Sequence, residues 1–102
     1  MRAGYSILRE IQKKGFTPEP SDYGLKEWEF KKMIQFLQDK GFLDRVLRVG
    51  DHFSLKNSQI TTKGSQLLED NQHYELDYPD RAGLKEWVKV EKEQYSNSSY
   101  EE

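Results

Sequence analysis

The sequence predicts an α+β, mostly α-helical domain. Apolar residues recur at i, i+3 and i+4 in several segments, the signature of helices with one buried stripe. Period-2 alternation of polar and apolar residues is confined to one short stretch after Gly50. Prolines and glycines punctuate the joints between these segments. A chain of 102 residues holds one domain, expected over residues 1–95, with residues 96–102 a disordered C-terminal tail.

The first helix is predicted over residues 3–14, with Tyr5, Leu8 and Ile11 on one stripe and Ile7 beside them. Lys13 and Lys14 complement the helix dipole in its last turn, and Gly15 supplies the stop. Pro18 and Pro20 then allow at most one helical turn, around Ser21 to Tyr23. A second helix runs from about Leu25 to Lys40, burying Phe30, Met33, Ile34 and Leu37, and Gly41 closes it.

Residues 42–49 read as a strand entering a turn at Gly50-Asp51, and residues 52–56 as its antiparallel partner, making one β-hairpin. Thr61 is the expected N-cap of a helix that Asn71 ends in the left-handed conformation. Residues 72–83 form a polar connector. A last helix covers residues 84–95, with Leu84, Trp87, Val88 and Tyr95 on its apolar stripe. The pentapeptide Gly-Leu-Lys-Glu-Trp stands at both 24–28 and 83–87, but the flanks differ, so it marks two helix starts and no repeat.

Helix, broken segment, helix, hairpin, helix is the order of a winged helix-turn-helix domain, here with a two-stranded hairpin as the wing and an extra C-terminal helix. Composition narrows the function. The chain has no cysteine, so disulfides, thiolate nucleophiles and the usual structural zinc sites are excluded. No apolar run reads as a signal peptide or a membrane span, and the expected location is the cytoplasm. His52 and His73 are the only histidines, and no metal site is expected. Asp77 and Asp80 flank Pro79 with no adjacent base or nucleophile, Glu27/Glu29 are too exposed to expect raised acidity constants, and no Gly-rich phosphate loop occurs. Neither catalysis nor a cofactor is expected. Charge is uneven: residues 1–68 carry a net +4 and residues 69–102 a net −6, so a mildly basic body precedes an acidic C-terminal third.

The chain resembles the YjcQ-like family of small winged-helix proteins of Gram-positive bacteria and their prophages. The resemblance rests on Tyr5-Ser6-Ile7-Leu8-Arg9-Glu10-Ile11, Phe30 with Phe36-Leu37, and Lys40-Gly41-Phe42-Leu43. It continues through Ile60-Thr61-Thr62-Lys63-Gly64 with Leu67-Leu68 and Asn71, and Lys85-Glu86-Trp87-Val88-Lys89. It spans about residues 5–90. Similar proteins tend to have Thr where Lys26 stands. The resemblance implies a winged-helix fold in a prophage or mobile-element setting, and no established activity.

Helix 25–40 sits where a winged-helix protein carries its recognition helix. Its exposed candidates for double-stranded DNA are Lys26, Lys31, Lys32, Gln35 and Gln38, since Gln can read adenine and Lys guanine or phosphate. The hairpin offers Arg45 and Arg48, which a flat strand would point to opposite faces. The leading expectation is therefore a DNA-binding regulator of prophage type. The alternative is a protein–protein interaction module on the same scaffold, its partner a host or phage protein and Trp28 its anchor. For Trp28 itself the favoured expectation is that it folds back over Pro18 and Pro20. Monomer and homodimer are both open.

Overall fold

The computed structural model describes residues 2–50 and 52–89. In chain order it contains α1 (Arg2–Lys13), a 3₁₀ turn (Pro20–Tyr23), α2 (Glu27–Asp39), β1 (Leu43–Asp44) and β2 (Leu47–Val49). Then follow β3 (His52–Ser54), β4 (Gln59–Ile60), α3 (Thr62–Asp70), and 3₁₀ turns at Gln72–Leu76 and Arg81–Gly83. A helix α4 occupies residues 84–89. The expected extension of that helix to residue 95 and the tail at 96–102 lie outside the described residues. The architecture is α+β and mostly helical, compatible with a winged-helix-like arrangement.

The buried stripes meet in one core. Ile7 and Leu8 of α1, Phe30, Ile34 and Leu37 of α2, and Leu84 of α4 are fully buried, with Leu43, Leu55, Leu68 and Trp87 around them. The period-3.6 pattern located these residues because burying such a stripe is the main gain available to a short amphipathic helix.

The β region departs from the expected single hairpin. Arg45 adopts φ 61°, in the left-handed region, and its N–H donates to the Asp44 carboxylate at 2.8 Å. This breaks residues 42–49 into two pieces. β2 and β3 pair around Gly50, with Leu47 opposite Ser54, Arg48 opposite Phe53 and Val49 opposite His52. Below the break, β1 pairs instead with β4, Leu43 opposite Ile60 and Asp44 opposite Gln59. A second two-stranded pair thus closes the base of the hairpin.

Two helix ends also differ from expectation. The left-handed residue after α1 is Lys14 (φ 55°) and not Gly15. Asn71 has φ −117°, and it closes α3 by donating its side-chain N–H to the Leu67 carbonyl at 2.8 Å. The chain continues directly into the 3₁₀ turn Gln72–Leu76.

Thr61 does cap α3, accepting from the Gly64 N–H at 3.0 Å. Its hydroxyl also donates to the Gly41 carbonyl at 2.6 Å, and its N–H to the Phe42 carbonyl at 3.2 Å. One residue therefore fastens the start of α3 to the end of α2. Gly64 permits this approach: a Cβ there would collide with the Phe42 carbonyl oxygen and lie 2.8 Å from Ile60 Cγ2.

Residues 72–83 are not a mere connector. Tyr74 and Tyr78 set their rings edge-on against Tyr5 and Trp87. Tyr78 donates to the buried Glu10 carboxylate at 2.6 Å, and its oxygen lies 2.8 Å from Ser6 Oγ. Ser6 also bonds Tyr23 in the 3₁₀ turn at 3.0 Å. Arg9 lies over the Tyr78 ring and donates to Glu10 at 2.7 Å and Glu75 at 2.8 Å. Tyr5 donates to Glu75 as well. The bond from Arg9, against the opposing effect of burial and aided by Tyr5, holds the Glu75 carboxyl below its usual range. Burial first, then the bond to Glu75, pushes the Tyr5 hydroxyl up.

Two measurements check this account. Gly64→Ala, although a gain in helix propensity, should destabilise by about 1–3 kcal/mol, as overpacking against backbone does; an unchanged denaturant midpoint contradicts the packing. The lowered Glu75 carboxyl contributes stability above the ordinary carboxylate value of 4.5, lost as pH falls through the lower folded value. The difference in unfolding midpoint between wild type and Glu75→Gln should therefore shrink on acidification, and a pH-independent difference refutes the role given to Arg9.

Candidate functional site

The exposed chemistry gathers on α2 and the hairpin beside it. Lys26 is the N-cap of α2 and has no side-chain capping bond. Where similar proteins tend to have Thr, the cap is supplied from the other side: Glu29 accepts the Lys26 N–H at 2.9 Å. Within Glu27–Asp39 there are two lysines and three acids, so the two further cations of the expected helix 25–40, Lys26 and Lys40, stand at its caps.

The outward side of α2 is two faces and not one. Adjacent helical residues are about 100° apart, so Lys31 and Lys32 diverge. Lys31 turns toward the hairpin, 3.6 Å from Glu27 and 6.0 Å from the Phe53 ring centre. Gln35 donates to Asp39 at 2.7 Å. Gln38 accepts from Arg48 at 2.8 Å. Arg48 and Phe53, opposite each other in the β2–β3 pair, thus face α2 together. Four of the groups expected to read a groove, Lys31, Gln35, Gln38 and Arg48, are thus bonded to their neighbours. Arg45, displaced from the strand by its left-handed backbone, is exposed.

The other face carries aromatic rings. Trp28 is 56% exposed and Phe36 39%. The expectation that Trp28 folds back over Pro18 and Pro20 is incorrect. Arg81 holds the segment there, over the Phe16 ring at 4.3 Å and paired with Asp22 at 2.7 Å. Lys32 Nζ lies 5.3 Å from the Trp28 ring centre and Lys40 Nζ 5.7 Å from that of Phe36. A shallow hollow beside them is lined by Glu29, Lys32, Met33 and Phe36. On the hairpin, Leu47 and Val49 point outward, 54% and 65% exposed. Sequence reasoning passed over the Trp28, Lys32, Phe36, Lys40 row, although its four-residue spacing was there to read.

Among the described residues, no group of three His, Asp or Glu side chains is placed to hold a metal ion. No described helix is long and apolar enough to cross a membrane.

Fold and surface define a small, mostly helical α+β protein whose exposed large apolar side chains, Leu76 apart, stand on one helix and the hairpin packed against it. The chain is 31% identical over 88 residues to the "Uncharacterized protein YjcQ" of Bacillus subtilis (strain 168), covering 83% of this chain and 93% of that relative. It belongs to the YjcQ-like family. No family model matches the chain, and no solved structure does.

Proposed function

We propose that this chain is a non-enzymatic interaction module on a winged-helix scaffold, and that it acts by protein contact through the outer face of α2. The carrying observation is the 56% exposure of Trp28, with Phe36 two turns further along the same row. Large exposed aromatics are among the residues on which protein interfaces concentrate their energy. The expected DNA-reading groups Lys31, Gln35 and Arg48 instead spend their bonds within the chain. An acidic balance, with sequence pI near 5.7, opposes attraction to a polyanion. Of the cations expected at double-stranded DNA, Lys26, Lys32 and Arg45 remain, and Lys32 diverges from Lys31 by about 100°. The prophage-type setting implied by the family resemblance suits a partner from host or phage.

The test sets the two readings against each other. A photo-crosslinkable residue at position 36 should yield discrete protein adducts in cells of a Gram-positive host. Trp28→Ala should remove them while leaving the circular dichroism spectrum unchanged. Titration with mixed-sequence duplex at low salt should show no binding tighter than about millimolar. Duplex binding with a log–log salt slope of about −3 to −4, from three or four phosphate contacts, and abolished by Lys31→Glu with Lys32→Glu, would overturn the proposal in favour of DNA.

A further inference from the structure

The outer face of α2 has a charge as well as a shape. Trp28, Lys32, Phe36 and Lys40 succeed one another every four residues, which makes them an i±4 row. Such rows are the ridges with which helices pack into the grooves of other helices. Each lysine lies over the ring before it in the row, its aliphatic stem covering apolar surface while its ammonium stays at the edge. Neither Lys32 nor Lys40 makes an ion pair among the described residues, whereas Lys31 on the neighbouring face pairs with Glu27. The nearby acid, Glu29, turns its carboxylate to the Lys26 N–H at the start of the helix. Two uncompensated positive charges therefore stand on an aromatic ridge, roughly 12 Å apart for eight residues of helix.

That combination selects among occupants. The same row from a second copy would gather four ammonium groups in one interface with no anion between them. A single-stranded nucleic acid needs open ring faces for its bases to stack on, and here each ring already carries an ammonium group on one side. A helix with aliphatic side chains along one stripe and carboxylates about two turns apart satisfies ridge and charges at once. Resting on the reading of this face as a protein contact, we propose that its partner is an acidic amphipathic helix. Its aliphatic stripe seats beside Trp28 and in the hollow between Met33 and Phe36, and its two carboxylates meet Lys32 and Lys40.

The experiment uses three synthetic helical peptides with the same aliphatic stripe and either Glu, Gln or Lys at two positions two turns apart. Each is titrated into the ¹⁵N-labelled full chain at low and high salt. The Glu peptide should shift the Trp28 indole and the backbone signals around Lys32 and Phe36, and bind at least tenfold tighter than the Gln peptide. The Lys peptide should not bind. Lys32→Gln with Lys40→Gln should erase the preference and leave the rest of the spectrum in place. Equal binding of all three peptides, or of none, overturns the acidic partner, while the position-36 adducts still judge the protein-contact reading independently. Shifts at Trp28 on adding an oligo-dT strand, or on raising protein concentration alone, likewise overturn it by assigning the face to nucleic acid or to a second copy. Protection of Trp28 by residues 90–102, seen as contacts in the peptide-free chain, overturns it in favour of the chain's own C-terminal segment.

Discussion

A carboxylate buried to 5% exposure is costly unless its lone pairs are met, and meeting those of Glu10 organises this chain. Arg9 and Tyr78 supply the donors, and through Tyr78 the bonding runs to Ser6 and on to Tyr23. Two regions far apart in sequence are thereby fixed together: α1 with the 3₁₀ turn Pro20–Tyr23, and the turn Gln72–Leu76 with the residues leading to α4. The strand pairs are only two or three residues long, too short to hold the helices in place. An apolar core alone is tolerant of small slips between packed helices, whereas a buried polar chain is satisfied in one arrangement only. Glu10 and its donors supply the uniqueness that the aliphatic residues do not.

What the sequence disclosed follows from what is local. Helical stripes, the proline-limited turn and the Thr61 cap depend on neighbours within four residues, and each was legible. The left-handed Arg45 was not, because nothing near it is glycine and its conformation answers to the pairing of Leu43 with Ile60 across the chain. Nor was the role of Tyr74, Glu75 and Tyr78, whose partners on α1 lie about 65 to 75 residues away in sequence. A polar composition made this segment look like a connector, although its tyrosines carry hydroxyls that the buried Ser6 and Glu10 require.

The two copies of Gly-Leu-Lys-Glu-Trp make the point for the candidate site. Trp87 is buried at 6% exposure while Trp28 stands 56% exposed. Five identical residues gave opposite fates because α4 begins at residue 84 and α2 only at Glu27, turning the two indoles differently against the body. Lys26, Lys32, Arg45 and Arg48 are exposed as expected, whereas Lys31 is half-buried. Their grouping was legible only in part: the four-residue spacing puts Lys32 beside Trp28, but that Lys31 faces the hairpin depends on how α2 is oriented in the fold.

The left-handed residue at Arg45 has a further consequence. It interrupts the ladder between the β1–β4 pair, which is seated on the core, and the β2–β3 pair, which carries Leu47 and Val49 outward. In an unbroken hairpin, adding or removing one residue near the turn would invert the alternation all the way down and expel Leu43 from the core. Here the base keeps its own register. The tip is a cassette whose length and exposed side chains evolution can exchange while the helices beneath it remain packed.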